Sequence, residues 1–407
     1  MIKLAQAQAD LLASLNTSKS VPLNVESVPL LQALGRVAAQ DVFSEIQIPP
    51  TDNSAMDGFA VNSADFKNFD GVVDLLVSQR IAAGAVPVAL KAGSAARIFT
   101  GAVIPEGADA VVIQENCEFG VSDQVRFKVQ AKSGDNIRPA GQDIAMGAKV
   151  IFKGQKLNAI DLSLLASIGH AEVLVYSKIK IAIFSTGDEL AEPGQALKEG
   201  QIYNSNRPLL MALCRQMGFE AVDCGIVEDT LDATKSALLK AARSSDVIIS
   251  SGGVSVGEED HVKPAVEQLG SLDLWKVQMK PGKPVAFGRI EGKPFLGLPG
   301  NPVSSFVVFQ LLGSPLLRAV QGELETVPTV YSVKSGFDKK VSSREEYIRV
   351  RLERNEAGEL VAQRFANLSS GVMSSLSWAD GLVRQNCEQE ISVGSMVQYL
   401  PLTDAML

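Results

Sequence analysis

"DVIISSGGVSVGEEDHVKPAVEQLG", Asp246 to Gly270, is the stretch from which the fold is read. "DVIIS" is a short β-branched run of the kind that forms a buried strand. Gly252, Gly253 and Gly257 follow it. Glycines behind a strand let the backbone approach a neighbour or a ligand closely. "KPAVEQLG" then has helical spacing. A glycine loop between strand and helix suits an anion, yet Glu258, Glu259 and Asp260 stand in it. Carboxylates gathered there call for a cation beside any bound anion. Taken singly, each also fits the favourable charge of a helix start.

The same alternation extends outward. "KIAIFSTGDEL" reads as a strand ending in a polar glycine loop, "NSNRPLLMALCRQMGF" as a helix capped by Asn204, Ser205 or Asn206, and "EAVDCGIV" as a strand. "LDATKSALLKAARSS" reads as a helix, "LDLWKVQMKPGKPVAFGRI" as strand material, and "KPFLGLPGNPVSSFVVFQLL" as strand, turn and helix. Alternating β and α segments predict a mostly parallel sheet with helices on both faces. Ligands in such sheets lie beyond the carboxyl ends of the strands. The loops there are "STGDE", "VEDT", "SGGVSVGEED" and "LPGNPVSS".

The flanks have a different texture. Lys3 to Leu15 has helical spacing, and a second helix is predicted from Val25 to Val42. Between Pro49 and Ala131, short β-type runs alternate with Gly, Pro and Asp turns, which predicts a compact β-rich insertion. "KLNAIDLSLLASIGHAEVLVYSK" returns to helix and strand, and after Val327-Pro328 short alternating strands suggest a small β-barrel.

Bulk properties narrow the function. A chain of 407 residues suits about three domains. A net charge of −8 argues against a nucleic-acid partner, which requires a basic face. No apolar run reads as long as the ~18 residues of a membrane span, and the amphipathic N-terminus lacks the features of a signal peptide. A cytoplasmic protein is expected. Cys117, Cys214, Cys224 and Cys387 are scattered without a CxxC pair, and only His170 and His261 offer imidazole, so zinc sites and most Ser-His-Asp arrangements are hard to build.

Several stretches carry possible chemistry. In "PPTDNSAMDGFAV", Asp52 and Asp57 fit either polar-ligand contacts or Asx turns. Thr100-Gly101 follows a strand and offers a hydroxyl and close amides, whereas Glu106 and Asp109 read as ordinary turn residues. Arg138 sits between glycine turns with Asp143 behind it, which suits an oxyanion or a surface ion pair. Asp188, Glu189, Glu228 and Asp229 stand at strand ends. "MKPGKP" brings Lys280 and Lys283, and "LPGNPVSS" a rigid turn before a helix with Asn301 or Ser304 as its cap. No GxxxxGK[ST] or GxGxxG occurs, so neither a P-loop nor a dinucleotide fingerprint is present.

"DNSAMDGFAV", "TGAVIPEGADAVVIQE", "NIRPAGQDI", "STGDEL", "IYNSN", "SSGGVSVGEEDHVK", "MKPGKP" and "LPGNPVSS" occur in this order. The set resembles the molybdopterin molybdenumtransferase family (MoeA; the E domain of gephyrin), over essentially the whole chain. "SSGVMSSLSWADGLV" looks like the family's last domain. The resemblance implies a multidomain α/β subunit: a discontinuous N-terminal dimerising domain (residues 1–45 and 140–177), a β-rich insertion (46–139), a MogA-like mostly parallel α/β/α domain (178–328) and a C-terminal β-barrel-like domain (329–407). It implies insertion of molybdate into adenylated molybdopterin with release of AMP, dependence on Mg²⁺, and a homodimer with an inter-subunit active site. Contact with the molybdopterin adenylyltransferase is a further implied partnership.

Carried over by motif, the resemblance makes Asp57, Thr100, Asp143, Glu189, Asp229, Asp260, Lys280 and Lys283 catalytic. Arg138, Ser251, Gly252, Gly253, Ser255, Pro299 and Pro302 would bind substrate. Glu189, Asp229 and Asp260 would hold Mg²⁺, with Asp260 favoured over Glu258 and Glu259. Asn62 stands where family members often carry a basic residue. Two other functions belong to related modules: ATP-dependent adenylylation of molybdopterin, typically by a single α/β domain, and a non-catalytic gephyrin-like scaffold. The extra domains argue against the first, and the intact acidic and lysine loops against the second.

Overall fold

The centre of the protein is a six-stranded mixed sheet. The computed structural model describes residues 1–17, 23–120, 123–254 and 261–402. The strands of this sheet are β1 (Lys180–Thr186), β2 (Glu220–Val227), β3 (Val247–Ser251), β4 (Gly270–Lys276), β5 (Pro284–Ile290) and β6 (Lys293–Leu298). Their spatial order is β2-β1-β3-β6-β5-β4. The first four run parallel, and the β6–β5 and β5–β4 pairs are antiparallel. The expected parallel sheet is thus present with an antiparallel edge.

Alternation along β1 shows how the layers form. Ile181 and Ile183 join one buried cluster with Leu210, Cys214 and Ile249, while Ala182 and Phe184 join another with Leu238, Ile248 and Val262. Ile248 and Ile249 belong to β3, and the other partners come from helices α1 (Asn206–Gln216), α2 (Leu231–Ser244) and α3 (Val262–Leu269), so both faces of the sheet are covered. Each such side chain contributes about 1.5–3 kcal/mol on burial. The chain passes from β1 outward to β2, then back across to β3. The topological switch point lies at the carboxyl end of β1, where a crevice opens.

After β6, a continuous helical stretch runs from Pro302 to Gln321. Phe309–Gly313 within it is a π turn. By length and composition the stretch could cross a membrane, unlike the expectation from sequence, but 83% of its apolar window is buried inside the protein. Its apolarity is that of a core helix. The N-terminal helix Leu4–Thr17 packs on it, and Gln8 donates to the Leu311 carbonyl inside the π turn at 2.8 Å.

The predicted helix from Val25 to Val42 is not found. Val25–Pro29 is a strand paired with Glu172–Tyr176, Leu30–Gln32 is a single 3₁₀ turn, and Val42–Phe43 pairs with Lys149–Ile151. Pro29 cannot continue a helix, and β-branched Val25 and Val28 fit a pleat. These pairings give the N-terminal region a discontinuous core, in which Val28 and Val42 pack with Ile151, Leu162 and Val175. Between its two parts a second six-stranded sheet is built from residues 58–127.

The third six-stranded sheet belongs to the C-terminal region. Glu345–Arg354 pairs with both Leu360–Arg364 and Gly381–Gln385, which closes the sheet into a barrel. The two-residue strand Met279–Lys280 joins its edge from the central domain.

Candidate active site

A cleft of about 710 Å³ opens at the carboxyl ends of β1 and β3. One wall is Thr186 at the end of β1 with Gly187 and Glu189 after it, and Asp229 after β2. The floor is Ser251 at the end of β3 with Gly252, Gly253 and Val254 after it, together with Pro299 to Pro302. The structure therefore brings Glu189, Asp229, Ser251, Gly252, Gly253, Pro299 and Pro302 together. Ser255, Asp260, Glu258 and Glu259 lie outside the described residues.

The glycines are required by their protein neighbours. Gly252 has φ +97°, and a Cβ there would lie 2.3 Å from the Thr186 carbonyl oxygen. Gly253 has φ +63°, and its Cβ would lie 2.5 Å from Val262 Cγ2. Both conformations favour glycine, and the tight contacts leave the loop flat against β1 and α3. Asn206, 8% exposed, fastens the floor: its Nδ2 donates to Ser251 Oγ at 2.9 Å and to the Gly300 carbonyl at 2.7 Å.

The acids on the wall form a short chain. Thr186 Oγ1 donates to Asp229 Oδ1 at 3.1 Å, and the Asp229 amide donates to Asp188 Oδ1 at 3.2 Å. Glu189 and Asp229 are hard oxygen donors on one rim, as Mg²⁺ prefers. Among the described residues, no three His, Cys, Asp or Glu side chains converge to hold a metal.

Two expectations at the helix start are modified. Asn301 is the N-cap position, but its side chain makes no capping bond, and Pro302 follows. The Val303 amide donates to the Ser370 carbonyl at 3.1 Å, so that donor is taken by the C-terminal region. Lys280 and Lys283 are exposed and do not line the cleft, although Pro284, next in the chain, does. Their turn sits against the helix, since a Cβ on Gly282 would lie 2.4 Å from Val308 Cγ2.

Asp57, Thr100, Arg138 and Asp143 belong to a separate group of loops. Asp57 Oδ1 accepts from the Thr100 amide at 2.8 Å and from its hydroxyl at 2.9 Å. These bonds hold the Asp57 carboxyl below the usual carboxylate range. Arg138 pairs through its backbone with Asn53, and the Asp143 amide donates to the Ile48 carbonyl, so both are fixed near the same loop with exposed side chains. Within one chain none of the four lines the cleft. Asp52 is a turn residue whose Oδ1 takes the Ala140 amide at 2.7 Å, and Asp109 likewise accepts from the Ser63 amide and hydroxyl. Asn62 caps a 3₁₀ turn by accepting from the Ala64 amide, a structural duty at the position where a basic residue was expected.

Some lining residues were missed in the sequence. Asn204 and Asn206 stand out in the sequence only as caps, and Ser185, Tyr203, Gly371 and Met373 lie within motifs without being singled out. Asn204 Nδ2 and Asn206 Oδ1 are buried atoms without a hydrogen-bond partner. Gly371 and Met373 come from a loop gathered by Arg349, 1% exposed, whose guanidinium donates to the carbonyls of Asn367, Leu368 and Ser369 and to Ser375 Oγ. Burial pushes the Cys117 and Cys214 thiols up to about 12, which makes these two poor nucleophiles.

Three family models match the chain: the MoeA N-terminal region (domain I and II) over residues 2–169, a probable molybdopterin binding domain over 182–319, and the MoeA C-terminal region (domain IV) over 337–402. The molybdopterin molybdenumtransferase of Haemophilus influenzae is 37% identical, with 98% of each chain covered. That of a Nostoc species is 38% identical over 80% of this chain and 76% of the relative. Two crystal structures of Pyrococcus horikoshii molybdopterin biosynthesis MoeA proteins are similar throughout. One has TM-score 0.79 at 31% identity, covering 99% of both chains. The other has TM-score 0.84 at 27% identity, covering 98% of this chain and 100% of that one.

Proposed function

Because the chain belongs to the MoeA family of molybdopterin molybdenumtransferases, we propose that it inserts molybdate into adenylated molybdopterin with release of AMP, in a cleft completed by a second copy of the chain. The observation that carries this is the separation of two groups of polar residues. Glu189 and Asp229 line the cleft, while Asp57, Thr100, Arg138 and Asp143 cluster on loops away from it. A homodimer that places one copy's loops over the other's cleft joins carboxylates, a hydroxyl and an arginine around one ligand. Exposed Leu31, Leu34 and Ile160 on the N-terminal region supply apolar surface for such a contact.

The roles follow from chemistry. Asn204 and Asn206 present buried polar atoms still in need of partners, as a heteroatom-rich pterin supplies. Glu189 and Asp229 would hold Mg²⁺, which lowers the cost of charge developing on phosphate oxygens. Arg138, Lys280 and Lys283 are the cations for oxyanion groups, and Thr100, fixed by Asp57, is a hydroxyl donor. Pro299 and Pro302 keep the turn at the floor rigid. Assembly beside the adenylyltransferase in the cytoplasm would deliver the adenylated substrate directly.

The test combines Asp57→Asn chains with Glu189→Gln chains. Each homodimer should release AMP slowly from adenylated molybdopterin, Mg²⁺ and molybdate. Heterodimers should regain up to about half of wild-type activity, because one of two sites is intact. No recovery in verified heterodimers would place both residues in one subunit's site. AMP release that ignores molybdate would refute the transferase reading, and ATP consumption with unadenylated molybdopterin would favour the adenylylating alternative.

A further inference from the structure

Glu346 is a buried carboxylate, 3% exposed, on the strand Glu345–Arg354 of the C-terminal barrel. It faces two cations: Lys280 Nζ lies 3.3 Å from Oε1 and Lys339 Nζ 3.1 Å from Oε2. One cation suffices to offset one buried carboxylate. Lys339 is 20% exposed and belongs to the barrel, whereas Lys280 is 46% exposed and belongs to the turn "MKPGKP". These three groups together carry a net +1, and Lys280 is the half-exposed member.

The turn is gripped from both sides. Its Met279 and Lys280 pair in parallel with Glu345 and Glu346, and Arg344 donates to the Met279 carbonyl at 3.1 Å. Gly282 is pressed against Val308 of the helix whose first residues form the cleft floor. The Lys283 carbonyl accepts from the Val277 amide at 3.1 Å. The backbone is thus fixed, and the Glu346 carboxylate is what restrains the long Lys280 side chain.

We propose that Glu346 is a positioning residue, which holds the Lys280 ammonium in place to receive a tetrahedral oxyanion of the substrates. The inference rests on the reading that places the lysine turn at the active site. The oxyanion is either molybdate or a phosphate of the adenylated pterin, and the two are separable by kinetics.

AMP release is measured with molybdate varied at saturating adenylated molybdopterin, and then the reverse, for wild type, Lys280→Gln, Glu346→Gln, Glu346→Asp and the double glutamine variant. Glu346→Gln should raise KM in one arm by about tenfold with kcat within about threefold, the split expected of lost binding. The arm that responds names the oxyanion. The double variant should be no worse than Lys280→Gln alone, since both remove one interaction. Glu346→Asp, which keeps charge for Lys339, should raise the same KM by a smaller factor and decides the matter if Glu346→Gln does not fold. Wild-type or lowered KM in the Glu346 variants beside a raised KM in Lys280→Gln would overturn the inference and leave the lysine turn in the site. Additive effects in the double variant would also overturn it. Wild-type kinetics in Lys280→Gln would instead remove the lysine turn from the site.

Discussion

One oxygen of Asp57 holds Thr100 twice, by its amide and by its hydroxyl. The pair is a fixed unit: the carboxylate stays ionised below the usual range, and the hydroxyl proton is directed onto it. The threonine oxygen keeps its lone pairs for an incoming donor. Thr100→Val keeps shape and the amide bond but removes the hydroxyl. Its Asp57 carboxyl should titrate higher than in wild type, by carbon NMR of labelled aspartate, and turnover should fall by roughly tenfold or more. An unchanged titration would show that the amide bond alone sets the shift.

Glycine replacements at the cleft should differ in kind. The Cβ of Gly252→Ala meets a backbone carbonyl, whereas that of Gly253→Ala meets the side chains of Val262 and Thr186. Each should cost about 1–3 kcal/mol by overpacking and positive φ. Val262→Ala should relieve part of the Gly253→Ala loss and none of the Gly252→Ala loss, as read by denaturant midpoints. Equal relief of both would mean that the loop shifts as one body.

Asn206 joins the ends of β3 and β6 through Ser251 and Gly300. Asn206→Asp keeps volume but sets a carboxylate oxygen against the Gly300 carbonyl, while the Ser251 hydroxyl can turn to donate to it. A loss of about 1–3 kcal/mol is expected, with a raised KM for adenylated molybdopterin. Wild-type affinity in that variant would show that the floor holds its shape without this tie.

Arg207, 7% exposed, makes two bonds to Glu192, at 2.7 and 2.6 Å. The Arg207 guanidinium holds the Glu192 carboxyl below its ordinary value. A depressed acid contributes stability that is fully present above its unfolded pKa, near 4.5, and is lost as pH falls through the lower folded value. Glu192→Gln should therefore destabilise the protein at neutral pH, and the difference from wild type should vanish in acid below the folded value. The neutral-pH loss should be about 1 kcal/mol, because the Glu192 side chain is 35% exposed and water screens the pair. A difference that persists unchanged through the acid range would assign the effect to packing.

Much of the central domain was legible because its signals are local. "DVIIS" and "KIAIF" announce buried strands, and turns follow them directly. Val25 to Val42 misled for the opposite reason: the partner that makes Val25–Pro29 a strand is Glu172–Tyr176, far along the chain. The same limit applies at the site. Motifs gathered Glu189, Asp229 and Pro299, but the wall formed by Gly371 and Met373 depends on a barrel that folds back over the helix start. Nor did sequence reveal that Asp57 and Thr100 belong to a different group from Glu189 within one chain.

The bond from Gln8 to the Leu311 carbonyl joins residues 303 positions apart. Its consequence concerns synthesis on the ribosome. At roughly 5–20 residues per second, the first helix emerges roughly 15–60 s before the helix that receives it. Through that interval Leu4, Ala7 and Leu11, all buried in the finished protein, lack the helix against which their own helix packs. The opening segment of this chain is thus among the last to find its place, and a tag fused ahead of Met1 must leave it free to dock late.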